Sequence, residues 1–365
     1  VNSKLKILHI EGGSHLYGGA LQVFYLIQDL SKKSVQNVLI CSVSSDLVVK
    51  AKPFSKVYDL QMKSDLDIGL LIKFVKIIKF EKPDIIHLHS RRIAEVLGGI
   101  SAKVCGVPCV LSRRVDNKEK KLLIYFKYSM YKRIIAISEG IKTVLTDQGI
   151  EEKKIICVKS AVEINLYSKP IDKRIFRKQL HLEPNVFLIG MIAQFIHRKG
   201  HDQLVYAVKN LKSEFKNIRV LLYGQGPLFS KIKKLVFKLN MQDNFHFMGF
   251  IKDLENHIGG LDLIVHPAEK EGLGVSLLQA TTAKVPIVAT NVGGIPEVVE
   301  NNTNGFLVPP RNHKLLQQAI KKMILDQNLR TNFGLKGNKL ARKKFSINTM
   351  SEGNLNVYKE ILRQV

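Results

Sequence analysis

The sequence predicts an α/β protein built from two doubly wound halves, each with a parallel sheet. Three observations support this prediction. The chain has 365 residues, which is too long for one typical hydrophobic core. Short apolar runs alternate with amphipathic stretches along its whole length. The runs are almost continuously apolar, as expected for strands that are buried on both faces of a parallel sheet.

The predicted strands fall into two groups. Those of the first half are KLKILHI, NVLICSV, DIIHLHS, PCVLSRR and RIIAIS. Those of the second half are NVFLIGMIAQF, IRVLLYG, NFHFMGF, LDLIVHP, PIVAT and GFLVPP. Helical patterns such as GALQVFYLIQDLSKK and DQLVYAVKNLKSEF lie between them. Strands that alternate with helices imply parallel pairing through right-handed crossovers.

The domain boundary is predicted where this alternation pauses, in the charged stretch VEINLYSKPIDKRIFRKQLHLEPN that starts at Val162 and contains two prolines. A linker near residues 165–172 gives an N-terminal domain of residues 1–168 and a C-terminal domain of residues 169–345. The stretch TMSEGNLNVYKEILRQV predicts a closing helix within residues 346–365.

The formal net charge of +26 is the strongest feature of the composition. It favours an anionic partner, such as nucleic acid, an acidic membrane surface or a phosphorylated substrate. A generally basic proteome is the alternative explanation. No segment reaches the ~18 uncharged apolar residues of a membrane span, and VNSKLKILHI predicts a strand rather than a secretory signal.

The four cysteines (Cys41, Cys105, Cys109 and Cys157) are scattered along the chain. Their spacing indicates neither a disulfide framework nor a zinc site. We therefore expect small buried hydrophobic side chains in a reducing compartment.

The stretch EKEGLGVSLLQA carries the most specific chemistry. Gly272 and Gly274 allow the backbone to approach a phosphate at a helix N-terminus. Glu271 is then better placed to accept hydrogen bonds from sugar hydroxyls than to meet the phosphate. Gln279 lies about two helical turns further on, and its amide can bind a diol. Helix-dipole stabilisation by Glu271 and a solvated Gln279 are the alternatives.

Two further glycine-bearing loops follow predicted strands. Gly18 and Gly19 precede a helix in EGGSHLYGGALQVFYLIQDL, and Gly224 and Gly226 precede another in IRVLLYGQGPLFSKI. Such loops either bind an anion with backbone N–H groups or are simply tight turns. In AQFIHRKGHDQL, Arg198 and Lys199 precede a helix and suit a diphosphate leaving group, although a charge pair is usually surface.

Two polar patterns are compatible with metal binding. His87 and His89 share one face at a strand end, but without ligands at convincing spacing each is more often structural. Asp65 and Asp67 form a DxD before an amphipathic helix, where capping by Ser64 or Asp65 is the favoured interpretation.

A basic, apolar helix is predicted for IGLLIKFVKIIKF, with Lys73, Lys76 and Lys79 at helical spacing. Such a helix either lies on an anionic membrane or packs with its lysines in water. The stretch NKEKKLLIYFKYSMYKR is also basic and aromatic, which fits a membrane surface or single-stranded nucleic acid. No nucleic-acid-binding module is recognisable, so nucleic acid is not expected as a partner.

Together these stretches resemble retaining glycosyltransferases of the GT-B class, family 4. The resemblance spans nearly the whole chain and is most specific in EKEGLGVSLLQATTAKVPIVATNVGGIPEVVENNTNGFLVPP, with YGQGP, FHFMGFIKDL and IAISEGIKTVL in support. It implies two Rossmann-like domains that face each other across a cleft. The C-terminal domain would bind the nucleotide sugar and the N-terminal domain the acceptor, and the last helix would cross back to the first domain.

The resemblance also implies roles for individual residues. Glu271 would contact donor-sugar hydroxyls, and Lys199 would stabilise the departing diphosphate. The remaining donor contacts would come from backbone and framing segments: Gly272, Leu273, Gly274, Val275, Phe250, Ile251, Gly18, Gly19, Gly224 and Gly226. Metal is usually dispensable in this class, so we expect no metal and no cofactor beyond a UDP- or GDP-sugar as co-substrate.

Three positions depart from the family pattern. Gln279 stands where a ribose-binding glutamate is frequent, and Gln194 stands where an arginine is frequent five residues before the lysine; Arg198 would then supply that charge. A histidine often follows the strand that corresponds to PCVLSRR. This chain has Ser112, Arg113 and Arg114 there, so His89 or the two arginines would contact the acceptor.

The expected activity is transfer of a sugar to an acceptor hydroxyl with retained anomeric configuration. Basic charge and the apolar helix favour a phosphorylated or lipid-linked saccharide, such as lipopolysaccharide core, at the inner face of the cytoplasmic membrane. A nucleotide-sugar 2-epimerase on the same scaffold, and a non-catalytic basic binding protein, are the alternatives.

Overall fold

The computed structural model describes residues 4–13, 15–16, 18–43, 45–62, 67–89, 93–119 and 121–364. The chain divides into two compact units. The first unit contains Val1–Ala161 together with Ile347–Val365, and the second contains Val162–Ser346. The division thus falls a few residues before the predicted boundary at 168, because the short helix that follows Val162 packs within the second unit.

The first unit is built on a seven-stranded sheet in which every strand pair is parallel. Its strands are β1 (Leu5–Glu11), β2 (Val35–Ser42), β3 (Lys56–Leu60), β4 (Ile85–Leu88), β5 (Cys109–Arg113), β6 (Arg133–Ala136) and β7 (Ile155–Cys157). The strand order is β3-β2-β1-β4-β5-β6-β7. The order reverses between β1 and β4, which is where doubly wound sheets open a crevice at the carboxyl ends of their strands.

The helices of the first unit are α1 (Gly19–Leu30), α2 (Leu47–Ala51), α3 (Ile68–Glu81), α4 (Ile93–Val104), α5 (Lys121–Ser129), α6 (Glu139–Asp147) and the C-terminal helix α16 (Ile347–Leu362). Helix α16 packs against α1 and β6, and its side chains join the core formed by β1, β4, β5 and β6. The last helix of the chain is therefore part of the first unit.

Helix α3 shows how local sequence sets these boundaries. The Asp67 carboxylate accepts the Leu70 N–H at 3.0 Å and caps the helix start. Leu70, Phe74 and Ile78 recur every four residues and are buried, and Lys82 ends the helix in the left-handed conformation. Capping by Asp67 replaces the expected capping by Ser64 or Asp65, which lie outside the described residues.

The second unit is built on a six-stranded parallel sheet in the order β10-β9-β8-β11-β12-β13. Its strands are β8 (Phe187–Ile192), β9 (Ile218–Tyr223), β10 (Phe245–Gly249), β11 (Leu263–His266), β12 (Ile287–Thr290) and β13 (Gly305–Val308). This order reverses between β8 and β11, so the loops that follow these two strands border the switch point of the second sheet.

The helices of the second unit are α7 (Ile164–Tyr167), α8 (Lys173–Gln179), α9 (His201–Leu211), α10 (Phe229–Lys238), α11 (Glu255–Ile258), α12 (Val275–Thr282), α13 (Ile295–Val298), α14 (His313–Leu325) and α15 (Gln327–Lys344). A continuous apolar core joins β8, β9, β11 and β12 to α9 and α14. This core supports the loops that follow β8 and β11.

The predicted fold class is confirmed, since both halves are parallel doubly wound α/β units. The sequence missed β3 and β7, which form the two edges of the first sheet. Both are short, and β3 is exposed at Lys56 and Asp59, so neither shows a buried apolar run. In the part of the chain that the structure describes, no helix has the length and apolar character needed to cross a membrane.

Candidate active site

A polar site lies at the carboxyl ends of β8 and β11. The segment after β8 contains a 3₁₀ helix, His197–Lys199, and the Glu269 N–H of the β11–α12 loop donates to the Arg198 carbonyl at 2.8 Å. Gly200 has a φ of +68°, and a Cβ on this residue would lie 2.1 Å from the Pro267 carbonyl oxygen. Glycine is therefore required for the two loops to approach this closely.

The centre of the site is the Glu271 carboxylate. Its Oε2 lies 2.5 Å from Lys199 Nζ and 2.8 Å from His266 Nε2. Its Oε1 accepts the Gly272 N–H at 3.2 Å. The side chains of Lys199 and Glu271 are only 10% and 14% exposed, so water screens this ion pair weakly.

The charge state of this cluster follows from its surroundings. Burial raises the pKa of the Glu271 carboxyl, but the hydrogen bond from His266 and the charge of Lys199 outweigh burial and hold the pKa well below its usual range. Burial lowers the pKa of the His266 imidazole, against the raising effect of its hydrogen bond to Glu271. At neutral pH the site thus contains a carboxylate and a neutral imidazole.

The backbone after Glu271 forms the start of α12. Gly274 has a φ of +91° and directly precedes the helix, and Gly272, Leu273 and Gly274 are buried. The N–H groups and dipole at the start of a helix favour an anion. The sequence prediction of a phosphate beside Val275 is compatible with this geometry and remains a prediction.

A second backbone contact fixes Glu271 from the other side. The Gly294 N–H donates to the Glu271 carbonyl at 3.1 Å. A Cβ on Gly293, whose φ is +52°, would lie 2.0 Å from the same carbonyl oxygen. The backbone of Glu271 is thus held close to Gly293 and Gly294. Any residue other than glycine at position 293 would force the two segments apart.

The glycines that follow β9 approach another loop of the same unit. A Cβ on Gly224 would lie 2.1 Å from the Ala193 carbonyl oxygen, and a Cβ on Gly226 would lie 2.6 Å from that of Phe195. The Phe195 N–H also donates to the Gln225 carbonyl at 2.9 Å. Tight packing of two loops explains both glycines, and their contact with a donor stays a prediction.

Comparison with known proteins assigns both units to families. Residues 172–340 match the family profile Glycosyl transferases group 1, and residues 17–166 match the profile Glycosyltransferase Family 4. The two matches together account for most of the chain. This protein belongs to glycosyltransferase family 4.

The glycosyltransferase is 26% identical over 357 residues to the capsular polysaccharide biosynthesis glycosyltransferase CapM of Staphylococcus aureus, with 93% of each chain covered. It is 24% identical over 331 residues, 84% of each chain, to the UDP-Gal:alpha-D-GlcNAc-diphosphoundecaprenol alpha-1,3-galactosyltransferase of Escherichia coli. The crystal structure of Anabaena HepE in complex with UDP-glucose has a TM-score of 0.86 and 20% identity, and covers 99% of this chain and 100% of its own. These likenesses agree with a GT-B fold.

The other predicted donor residues of the glycosyltransferase lie on elements of the same unit. Gln279 is buried on α12, and its Nε2 donates to the Tyr167 hydroxyl at 2.7 Å. Gln194 is exposed just after β8. Phe250 and Ile251 directly follow β10, and the Phe250 side chain is about half exposed. Their roles toward a nucleotide stay predictions.

In the first unit, the predicted Gly19 lies beside Arg114, which is partly buried. Gly18 has a φ of +52° and precedes α1. A Cβ on Gly19 would lie 3.3 Å from Arg114 Cδ and 3.9 Å from Glu11 Oε2. Burial lowers the pKa of the Arg114 guanidinium to about 10, while Glu11 raises it, so Arg114 stays charged at neutral pH. Arg114 thus places positive charge next to the α1 N-terminus.

The two predicted acceptor arginines have different surroundings. The Arg113 side chain is buried, and it donates to Glu119 at 3.0 Å and to the Asn117 carbonyl at 2.8 Å. These hydrogen bonds are internal to the first unit. Acceptor contact by Arg113 and Arg114 remains a prediction, with Arg114 the better placed of the two.

His89 belongs to a buried cluster that also contains His9 and His87. One ring nitrogen from each of the three lies within 4.8 Å of the other two, which is a possible ligand set for a metal ion. Five of the six nitrogens already have hydrogen-bond partners within the chain: Nδ1 of His9 with Nε2 of His89, Nε2 of His9 with Asn37, and both nitrogens of His87 with Tyr358 and Ser112. The cluster is therefore explained as a hydrogen-bonded network. Catalysis by His89 remains a prediction.

Sequence reasoning missed His266, Tyr167 and His9. His266 ends the otherwise apolar strand of LDLIVHP, and His9 lies between apolar residues near the carboxyl end of the strand in KLKILHI. A polar residue at that end of a buried parallel strand is a usable signal, because ligand sites of doubly wound sheets lie there. Tyr167 gave no such signal, since its contact with Gln279 spans 112 positions of sequence.

Proposed function

We propose that this glycosyltransferase moves a sugar from a UDP- or GDP-sugar to an acceptor hydroxyl with retained anomeric configuration and without a metal ion. The observation that carries the proposal is the Lys199–Glu271–His266 cluster at the switch point of the second sheet. A carboxylate beside a cation and a helix N-terminus suits a ligand that combines sugar hydroxyls with a diphosphate. The relative from E. coli is named for a UDP-sugar, and the HepE structure contains one.

In this mechanism the acceptor attacks from the face that the leaving group departs from. The bond between the anomeric carbon and the phosphate oxygen breaks as the bond to the acceptor oxygen forms, and the acceptor proton passes to the phosphate. The protein positions the two substrates and supplies positive charge to the leaving diphosphate. Glu271 accepts hydrogen bonds from the sugar, while Lys199, Arg198 and the α12 N-terminus stabilise the diphosphate.

A thermal-shift screen with UDP, GDP, ADP and their sugars identifies the donor. With that donor, Glu271→Ala and Lys199→Ala should each lower transfer by at least about 100-fold. Lys270→Ala is the matched control, because Lys270 is adjacent but exposed. Wild-type turnover by both variants would overturn the assignment. Conversion of the donor to its 2-epimer without any acceptor would identify an epimerase instead.

We further propose that the acceptor is a phosphorylated or lipid-linked saccharide at an anionic membrane surface. The support is the net charge of +26 and the outer face of α3. Ile68, Ile72 and Phe80 are exposed there, and the helix also exposes Lys73, Lys76 and Lys79. Apolar side chains flanked by lysines suit the boundary between acyl chains and acidic headgroups.

Sedimentation with vesicles that contain anionic lipid tests this surface. We expect binding at low salt, release at high salt, and weaker binding after Ile72→Glu or Phe80→Glu. Leu325→Glu is the control, since Leu325 is equally exposed in the second unit. If the wild type does not bind anionic vesicles at low salt, the acceptor is soluble and this part of the proposal fails.

A further inference from the structure

His266 is a buried histidine in direct contact with the Glu271 carboxylate. It is the last residue of β11 and is 1% exposed. Its Nε2 lies 2.8 Å from Glu271 Oε2, and its Nδ1 is buried without a hydrogen-bond partner in the part of the chain that the structure describes. The roles that the family resemblance implies do not include this residue.

The surroundings of its two ring nitrogens define the protonation state of His266. Glu271 accepts hydrogen bonds only, so Nε2 must carry a proton and donate it. A second proton on Nδ1 would be a buried N–H without a partner, which is costly in a site that excludes water. The geometry therefore selects the neutral imidazole with its proton on Nε2.

We propose that His266 is a positioning residue that holds the Glu271 carboxylate in place when a diphosphate competes for Lys199. This inference rests on the proposed function. Lys199 and His266 donate to the same oxygen, Oε2. A diphosphate carries more negative charge than one carboxylate and attracts the Lys199 ammonium, whose flexible stem lets it turn. His266 stays, because its ring is enclosed at the end of a central strand and is neutral, so a phosphate attracts it far less.

Three substitutions separate hydrogen bonding from packing. The amide nitrogen of Gln reaches the place of Nε2, whereas that of Asn falls near Nδ1, so His266→Gln restores the donor to Glu271 and His266→Asn does not. His266→Phe keeps the ring and removes both nitrogens. We expect His266→Gln to retain kcat/KM within about threefold, and the other two variants to lose about tenfold to 100-fold, as for a hydrogen bond to a charged group.

Binding of the nucleoside diphosphate is the second measurement. Because the proposed role concerns the sugar-binding carboxylate, the Kd of UDP or GDP should change by less than about threefold in all three variants. Equal loss in His266→Gln and His266→Phe, with both folded, would show a packing role and overturn the inference. So would full activity of His266→Phe.

A third measurement does not depend on activity or on a variant that folds. Long-range ¹⁵N NMR of the histidine-labelled wild type should show His266 as the neutral Nε2–H tautomer between pH 6 and 8. An Nδ1–H tautomer or an imidazolium would overturn the inference. If the wild type transfers no sugar from any donor, the proposed function fails, while this spectrum still decides whether His266 donates to Glu271.

Discussion

Replacing Gly293 with Ala should displace the Glu271 peptide and impair both stability and transfer. The Cβ would lie 2.0 Å from the Glu271 carbonyl oxygen, whereas ordinary contacts begin at 3.4 Å. The two groups must therefore separate by more than about 1 Å, and a displacement of about 1 Å at a catalytic group lowers rates by about 100-fold. The φ of +52° adds about 1–2 kcal/mol of backbone strain once a Cβ is present.

The assays are steady-state transfer kinetics and chemical denaturation. Gly149→Ala is the matched control, because Gly149 has a φ of +88° and a Cβ there meets nothing within 4 Å. It should lose only the strain energy and keep full kcat/KM. Gly293→Ala should be less stable than this control and about 100-fold slower. If the two variants are equally stable and equally active, the contact with Glu271 is not what requires glycine at position 293.

Two further outcomes are expected. Burial, with a smaller effect from the charge of Lys199, lowers the pKa of His201 from 6.5 to about 3. Below pH 6.5 the unfolded state thus binds more protons at His201 than the native state does, and this group alone should lower the free energy of unfolding by about 2 kcal/mol between pH 7 and pH 5. In urea titrations, His201→Phe should reduce the fall of the wild type by that amount, and an unchanged pH dependence would refute the prediction. Gln279→Ala should raise the donor KM about fivefold to tenfold, whereas Gln279→Glu should lower it because a carboxylate forms stronger hydrogen bonds with a diol. Equal KM values would remove Gln279 from the donor site.

The fold was predictable from the sequence because the central strands are buried on both faces. Runs such as NVFLIGMIAQF and IRVLLYG are typical of strands in the interior of a parallel sheet. The edge strands β3 and β7 were not predictable in the same way. An edge strand has fewer neighbours to bury it, so its sequence carries polar residues such as Asp59.

The site residues were predictable only where a charged side chain stands in a recognisable local motif. Glu271 and Lys199 stand in short motifs with glycines, and the structure brings them into contact across 72 positions of sequence. His266 and Tyr167 act through neighbours in space, and nothing in one sequence pairs Tyr167 with Gln279. Conversely, the sequence predicted that Gly224 and Gly226 contact a ligand. Packing of their loop against Ala193 and Phe195 is enough to explain why both are glycine.

The placement of α16 has a consequence for how the chain is made. The second unit begins and ends at one point, where the Val162 N–H donates to the Phe345 carbonyl at 2.9 Å. It is complete before α16 has been synthesised, whereas the first unit still lacks the buried Tyr358, whose hydroxyl bonds to His87. During translation the second unit can therefore finish folding first, although most of the first unit has already emerged from the ribosome.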